Sequence, residues 1–304
     1  MRAVRRPAAH HGESRGVDAQ SRGGYGPAMD TADRHRTFAA LHQQGCFVIP
    51  NPWDVGTARV MAACGAQALA TTSGGFAFTL GRPDSGNVTR DEALAHAESI
   101  VRATPLPVTG DLENGYADNP DGVADTVRLA AEVGLSGCSI EDTRMVEGHP
   151  SYDVDAAVER IAAAVDAARS LPHPFVLCAR ADGVLTGAYD IAEAVRRIQA
   201  FERAGADLLY VPWPRSTLDL QRIVEAVATP VNALSAGAVA DLSLADFAAM
   251  GVRRVSIGSR LSRVTHAVVR DVTRAMCRDG DFAGLARGAA APEVDALLQE
   301  GAGS

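Results

Sequence analysis

From Phe38 onward the chain repeats one unit: a short apolar run ending in polar residues, followed by an Ala-rich stretch with apolar residues at helical spacing. The apolar runs are Cys46–Asn51, Ala68–Ser73, Pro107–Glu113, Gly137–Asp142, Phe175–Asp182, Leu208–Trp213, Pro230–Ser235 and Arg253–Gly258. Between them lie amphipathic stretches such as Arg90–Ala103, Asp121–Val133, Asp153–Arg169 and Ile191–Ala204. Eight strands alternating with eight helices over about 250 residues predict an α/β fold, the (βα)8 TIM barrel. A doubly wound open sheet would want a Gly-rich fingerprint after the first strand, where Asn51-Pro52-Trp53-Asp54 stands instead. The turns at Gly65-Ala66-Gln67 and Gly205-Ala206-Asp207 read as helix C-caps leading into strands two and six.

The barrel is expected to occupy residues 31–280, with a C-terminal helical extension and tail at 281–304. Residues 1–30 carry Arg, Gly, His and Ser without periodicity and read as a disordered tail. Met29, directly before the helix-start pattern Asp30-Thr31-Ala32-Asp33, is an alternative start of translation. At 304 residues and 47% hydrophobic, the chain can bury a full core. A net charge of −8 argues against nucleic acid or an anionic membrane as partner. No apolar run approaches the ~20 residues of a bilayer span, and the Arg-rich N-terminus lacks the apolar core of a secretory signal. The five cysteines form no CxxC pair; four stand in or beside apolar segments, which suits buried free thiols and a reducing cytoplasm.

One absence narrows the chemistry further. The chain has no lysine, so Schiff-base aldolase chemistry, covalent pyridoxal phosphate and a Walker A loop are all excluded. In a barrel of this kind the active site lies at the C-terminal ends of the strands. Strand three ends in Gly110-Asp111-Leu112-Glu113, whose carboxylates at i and i+2 point the same way, because side chains alternate faces along a strand. Two like charges so placed imply a shared cation or a raised pKa, and Mg²⁺ with its preference for oxygen ligands is the natural occupant. The bland alternative is a solvated acidic loop. Strand two ends in Thr72-Ser73-Gly74-Gly75, able to present backbone N–H groups to a carboxylate or simply to form a tight turn. The loop Leu80-Gly81-Arg82-Pro83-Asp84 follows it, and strands four and five end in Glu141-Asp142 and Arg180-Ala181-Asp182. Glu141 ends an apolar run, a costly place for an unpartnered charge. Arg180 suits bidentate recognition of a carboxylate or enolate, or else a structural ion pair.

Together, Ser73-Gly74-Gly75, the Leu-Gly-Arg-Pro-Asp84 loop, Asp111-Leu-Glu113, Ser-Ile-Glu141-Asp142 and Ala-Arg180-Ala-Asp resemble the ordered signature of the isocitrate lyase/phosphoenolpyruvate mutase superfamily. The resemblance covers about residues 36–280. It implies that Asp111 ligates Mg²⁺, directly or through water, with Glu113, Glu141 and Asp84 holding the metal's waters. It implies that Ser73 and the backbone of Gly74 and Gly75 bind the carboxylate of a pyruvate-like unit, and that Arg180 contacts its carboxylate or enolate oxygen. The implied chemistry makes or breaks a bond at C3 of a 2-oxo or 2-hydroxy acid through an enolate. A homotetramer or dimer, sealed by the C-terminal segments around Ser262–Cys277 and Glu293–Leu298, is implied as well.

Departures from the pattern narrow the branch. The lyases carry a Cys-Gly-His loop after strand four, whose cysteine is the proton donor; here the loop reads Asp142-Thr-Arg-Met-Val-Glu-Gly-His-Pro-Ser-Tyr152, without cysteine. The Lys and Asn of phosphonopyruvate-acting members are also missing. Pro212 stands where the lyases have Glu and the mutases His. The whole resembles the mutase-like branch, also called carboxyvinyl-carboxyphosphonate phosphorylmutase-like. The expected activity is a Mg²⁺-dependent carbon–carbon lyase or decarboxylase acting through an enolate on a small 2-oxo or 2-hydroxy mono- or dicarboxylic acid. Carbon–phosphorus chemistry and a catalytically silent 2-oxo-acid-binding barrel are the alternatives. The loop Thr143–Tyr152 is expected to be a mobile lid, with water, His149, Tyr152 or Glu147 as proton source.

Overall fold

In the computed structural model, which describes residues 31–303, each expected strand forms but is shorter than its apolar run. The strands are β1 (Phe47–Ile49), β2 (Leu69–Ala70), β3 (Val108–Asp111), β4 (Gly137–Glu141), β5 (Val176–Arg180), β6 (Leu208–Tyr210), β7 (Val231–Leu234) and β8 (Arg254–Ser256). All pairings are parallel, in the order β1-β8-β7-β6-β5-β4-β3-β2. Between β1 and β2 the Ala70 N–H donates to the Pro50 carbonyl at 3.1 Å, drawing the two edges together into a (βα)8 barrel. The disordered-tail expectation and the Met29 start lie outside the described residues.

The helices are α1 (Thr31–Leu41), α2 (Val55–Ala63), α3 (Ser73–Thr79), α4 (Arg90–Ala103), α5 (Pro120–Glu132), α6 (Val154–Arg169), α7 (Gly183–Thr186), α8 (Ile191–Arg203), α9 (Thr217–Glu225), α10 (Leu244–Ala249), α11 (Arg260–Asp279) and α12 (Ala291–Glu300). Local chemistry sets their starts. Thr89 and Glu92 close a capping box ahead of α4. Asn119 caps α5, whose first residue is Pro120, where a missing N–H costs nothing. Two expectations shift at strand ends. Ser73 is not the last residue of β2 but the first of α3, because the Thr72 side chain accepts from Gly75 N and starts a helix there. Glu113 lies beyond the end of β3 with φ of +46°, so a turn rather than strand alternation aims its carboxylate.

The strands separate two cores. Outward-facing Val108, Cys138, Ile140, Leu177 and Leu209 pack under the helices. Inside the barrel, Phe47, Ile49, Ala68, Val176, Cys178 and Leu208 gather around Phe38, which α1 inserts. Gly137 makes room for it: a Cβ there would stand 2.4 Å from the Val176 carbonyl and 3.1 Å from the Phe38 ring. All five cysteines are free, but only Cys138 and Cys178 are buried, while Cys64 and Cys277 are exposed. The apolar neighbourhood of Cys64 in sequence therefore misleads, since α2 ends there and turns the thiol to solvent. α12 packs back against α2. By contrast α11 buries only Ser262 and leaves Leu261, Val264, Val268 and Val269 exposed. Among the described residues no helix is long and apolar enough to cross a membrane.

Candidate active site

Arg180, the last residue of β5, is the centre of the C-terminal mouth. Its Nη1 lies 2.6 Å from Asp111 Oδ1, and its Nη2 lies 2.9 Å from Glu141 Oε2 and 2.6 Å from Asp182 Oδ2. Register explains the meeting, since Glu141 and Arg180 are paired neighbours on β4 and β5. Asp111 reaches across from the end of β3. Its Oδ2 accepts from the backbone N–H of Ser73 at 3.0 Å and from the Ser73 hydroxyl at 2.8 Å. The Ser139 hydroxyl adds a longer bond to Oδ1 at 3.3 Å. Ser73, Asp111 and Arg180 are thus brought into one hydrogen-bonded row.

The glycines after Ser73 differ in role. A Cβ on Gly74 would stand 2.3 Å from Asp84 Oδ2, so its missing side chain admits the Asp84 carboxylate over the mouth. A Cβ on Gly75 would meet the Thr72 methyl at 2.5 Å, and the Gly75 N–H is already held by the Thr72 hydroxyl at 3.3 Å. Gly75 therefore serves the turn. Asp84 sits on an exposed loop with its carboxylate turned inward, and Glu113 is buried with both oxygens receiving the Gly86 N–H at 3.2 Å. Asp142, next to Glu141, points the other way. It is locked outside the mouth by Arg197 at 2.9 Å, the Tyr189 hydroxyl at 2.7 Å and the Asp182 N–H at 2.8 Å.

Burial shifts several of these carboxyl groups upward. Burial pushes Glu113 up to about 7, against the Gly86 N–H, with Asp111 and Asp84 adding repulsion. Burial likewise raises Glu141 well above the carboxylate range and raises Asp84 and Asp182, with Arg180 opposing in each case. For Arg180 burial works against the charge, but Asp182, Glu141 and Asp111 outweigh it and the guanidinium stays firmly protonated. Arg180 is the cation that pairs with the mouth carboxylates, and a bound cation would relieve the crowding of Asp84, Asp111, Glu113, Glu141 and Asp182. The donor set is oxygen only, which suits Mg²⁺. Among the described residues no three such side chains are close enough to share an ion directly. An ion held at this mouth would therefore have to keep most of its water.

Between these groups lies a cavity of about 150 Å³ whose walls include Asn51, Thr72, Ser73, Gly74, Asp84, Asp111, Arg180, Tyr210 and Pro212. Asn232, Arg254 and Ser256 line its other side, and sequence reading had not singled them out. The signal was there: polar residues at alternate positions of otherwise apolar strands, the inward-facing set. The β4 loop is pinned at both ends. Thr143 pairs with Ser151, the Arg144 N–H donates to the Pro150 carbonyl at 2.8 Å, and Tyr152 is buried. Tyr152 donates to Asp118 at 2.5 Å and accepts from Asn114 at 2.9 Å, so its hydroxyl is committed away from the mouth. Glu147 is exposed at the loop tip. His149 is half-buried, close enough to Asp84 to favour its ionised form, and its Nδ1 has no partner.

The family model for phosphoenolpyruvate phosphomutase matches residues 38–277. The chain is 30% identical to 2,3-dimethylmalate lyase of Eubacterium barkeri over 84% of its length and 90% of that protein's. It is 32% identical to oxaloacetate decarboxylase of Paraburkholderia xenovorans (strain LB400), over 75% and 76% of the two chains. Among solved structures, a candidate lyase/mutase from Burkholderia cenocepacia J2315 superposes with a TM-score of 0.84 at 45% identity, covering 88% of this chain and 96% of that one. The chain belongs to the phosphoenolpyruvate phosphomutase family, within the superfamily that includes lyases of small acids.

Proposed function

Taking that membership as premise, we propose that this protein is a Mg²⁺-dependent enzyme that breaks a carbon–carbon bond of a small 2-oxo or 2-hydroxy acid, as a lyase or decarboxylase. The observation that carries the reading is the row Ser73–Asp111–Arg180 at the rim of a small, carboxylate-rich cavity. The relatives named above, a lyase and a decarboxylase, agree with it. When bound, Mg²⁺ would be held by Asp111, directly or through water, with Glu113, Glu141 and Asp84 at its waters, and would supply Lewis acidity at the substrate's 2-oxygen.

The chain's own groups do the rest. The Ser73 hydroxyl and the Gly74 backbone line the cavity and would take a substrate carboxylate. Arg180 is held in place by Glu141 and Asp182 and offers its Nη1 edge to the oxygen where charge develops. Glu141 steadies that guanidinium. His149 delivers the proton to the carbon left by cleavage, because it alone of the three loop candidates is both near the mouth and uncommitted. His149→Ala is expected to lower turnover about a hundredfold.

The test is a screen of 2-oxo and 2-hydroxy acids with Mg²⁺, read by pyruvate formation. Product that vanishes in excess EDTA supports the reading. Phosphate release would put carbon–phosphorus chemistry in its place, and ligand-induced stabilisation without turnover a silent binding barrel. We further propose that the protein assembles into a dimer or tetramer through α11, whose apolar face this chain leaves uncovered. A monomeric mass in light scattering at micromolar concentration would overturn that.

A further inference from the structure

Asp142 is buried and turned away from the mouth, yet the segments that carry the site meet on it. Its Oδ1 accepts from the Asp182 N–H at 2.8 Å and its Oδ2 from the Tyr189 hydroxyl at 2.7 Å. One carboxylate therefore holds both ends of the turn 182–189. The Asp142 carbonyl accepts from the Tyr152 N–H at 2.8 Å, where the β4 loop closes, and the Asp142 N–H donates to the Arg180 carbonyl at 3.2 Å. Asp182 in turn forks the Arg180 guanidinium, receiving Nε at 3.1 Å and Nη2 at 2.6 Å. That fork is what leaves Nη1 as the edge directed at Asp111 and the cavity.

Arg197, on α8 and also buried, supplies the charge that balances Asp142. Its Nη1 donates to Asp142 Oδ2 at 2.9 Å and to the Tyr152 carbonyl at 2.8 Å, and its Nε to Glu193 Oε1 at 3.0 Å. Its guanidinium carbon lies 4.5 Å from the centroid of the Tyr189 ring. Gly183 lets that ring lie flat on the turn, since a Cβ there would stand 2.2 Å from it. An ionised carboxylate only accepts, so Asp142 can take an N–H, an O–H and a guanidinium together. Without the cation a buried charge would be left unpaired, which is costly, and the turn 182–189 would have to shift to let water reach it. Arg160 is the contrast. It is as deeply buried, but its bonds go to the carbonyls of Asn114, Ala117 and Asp118 in the β3 loop.

We propose that Arg197 and Asp142 form a latch of positioning residues, which holds the closed end of the β4 loop and the Asp182 fork in register and so aims Arg180. The proposal rests on the reading of Arg180 as the group that faces developing negative charge. Because Tyr152 and Asp182 hang on the same ion pair, closing the loop and aiming the guanidinium are one event.

Oxalate and pyruvate separate aim from mere binding. Each offers a carboxylate to the Ser73 end. Oxalate, used as a planar mimic of the pyruvate enolate, adds a negative oxygen where pyruvate has a neutral carbonyl. Calorimetric titration of the protein with Mg²⁺ is expected to show oxalate binding about tenfold more tightly than pyruvate, and Arg180→Met should abolish that preference. Arg197→Met should weaken oxalate about tenfold and pyruvate less than about threefold, since only the charged contact depends on aim. Arg197→Lys, which keeps the cation, should return oxalate to within about threefold of the native protein. Tyr189→Phe removes one hydroxyl from the latch and covers the case in which Arg197→Met fails to fold; it should weaken oxalate alone, by about threefold. A folded Arg197→Met or Tyr189→Phe protein that keeps the native ratio overturns the latch and leaves the reading of Arg180 standing. So does an Arg197→Lys protein no better than Arg197→Met, or equal weakening of both ligands, which would mark general loosening. Native protein that binds neither ligand, or both alike, overturns the reading of Arg180 and the latch with it.

Discussion

The same eight strands build two unlike interiors. At the N-terminal end, Phe38, Phe47, Val176 and Leu208 close the barrel with apolar contacts alone. At the C-terminal end, Asp111, Glu141, Arg180, Asn232 and Arg254 place charge and hydrogen-bonding groups at the next inward positions. β5 shows the switch within five residues, with Val176 and Cys178 below and Arg180 above. The lower end gains stability by removing apolar surface from water. The upper end loses some, since Glu113, Glu141 and Asp182 all have carboxyl pKa values pushed upward by burial. The contrast says where a substitution should cost folding and where it should cost function.

Asp111→Ala probes the upper end and carries the largest expected effect. Activity should fall at least a thousandfold, equivalent to ~4 kcal/mol of transition-state stabilisation. Stability should hold or rise, because Arg180 keeps Glu141 and Asp182 while a crowded carboxylate is removed. Turnover measured beside a denaturation midpoint checks both halves. An active Asp111→Ala protein, or one that unfolds, would break the division between the two ends.

Phe38→Ala probes the lower end. The ring is fully buried and plugs the barrel, so its loss should cost about 3–5 kcal/mol of stability. At a temperature where both proteins are folded, turnover should stay within about twofold, since a well-separated site is not expected to couple to it. A matching loss of activity would show that the plug tunes the mouth.

These two ends were unequally legible in the sequence. The strand–helix alternation is strong and local, and α4 runs over Arg90–Ala103 as its periodicity predicts. Strand ends were harder, since Ser73 and Glu113 both read as strand and both lie beyond it. What decided them were a side-chain cap and a positive φ, which a hydrophobicity pattern does not register. The acidic motifs were visible because carboxylates interrupt apolar runs. Arg254 was not, because its neighbour Arg253 makes it look like part of an exposed basic pair; only closure of the barrel shows that alternate residues face opposite sides. The commitment of the Tyr152 hydroxyl to Asp118 and Asn114 depends on contacts 34 and 38 residues away in sequence.

A third test separates the ends by pH. Burial is the main reason that His42 is held down to about 3, with Arg254 and Arg253 adding repulsion and the Phe38 carbonyl opposing. His42 is therefore neutral in the fold, and the unfolded chain binds its proton first, near 6.5. Its contribution to stability is complete above pH 6.5 and is lost as pH falls toward 3, at ~1.4 kcal/mol per pH unit within that window. By pH 5 the loss from this one group is about 2 kcal/mol. His35, held down to about 4 chiefly by burial, acts in the same direction. Midpoints for the native protein and His42→Phe should converge as pH is lowered from 7 to 5; parallel curves would mean that His42 is not the group responsible.

The smallest effect is expected from Tyr152→Phe, which tests where the lid ends and the scaffold begins. The Tyr152 ring is stacked under Arg160, whose guanidinium carbon lies 4.1 Å from the ring centroid, and Phe retains that contact. What is lost is the hydroxyl's bond to Asp118, together with the one it accepts from Asn114. Asp118 is exposed and can turn to water, so the cost should be near 1 kcal/mol. Because that hydroxyl does not face the cavity, kcat should stay within about twofold, against the hundredfold loss expected for His149→Ala. If instead Tyr152→Phe lost turnover and His149→Ala kept it, with both proteins folded, the proton would reach the substrate from the anchored end of the loop. The closed arrangement of Thr143–Tyr152 would then have to open during the reaction.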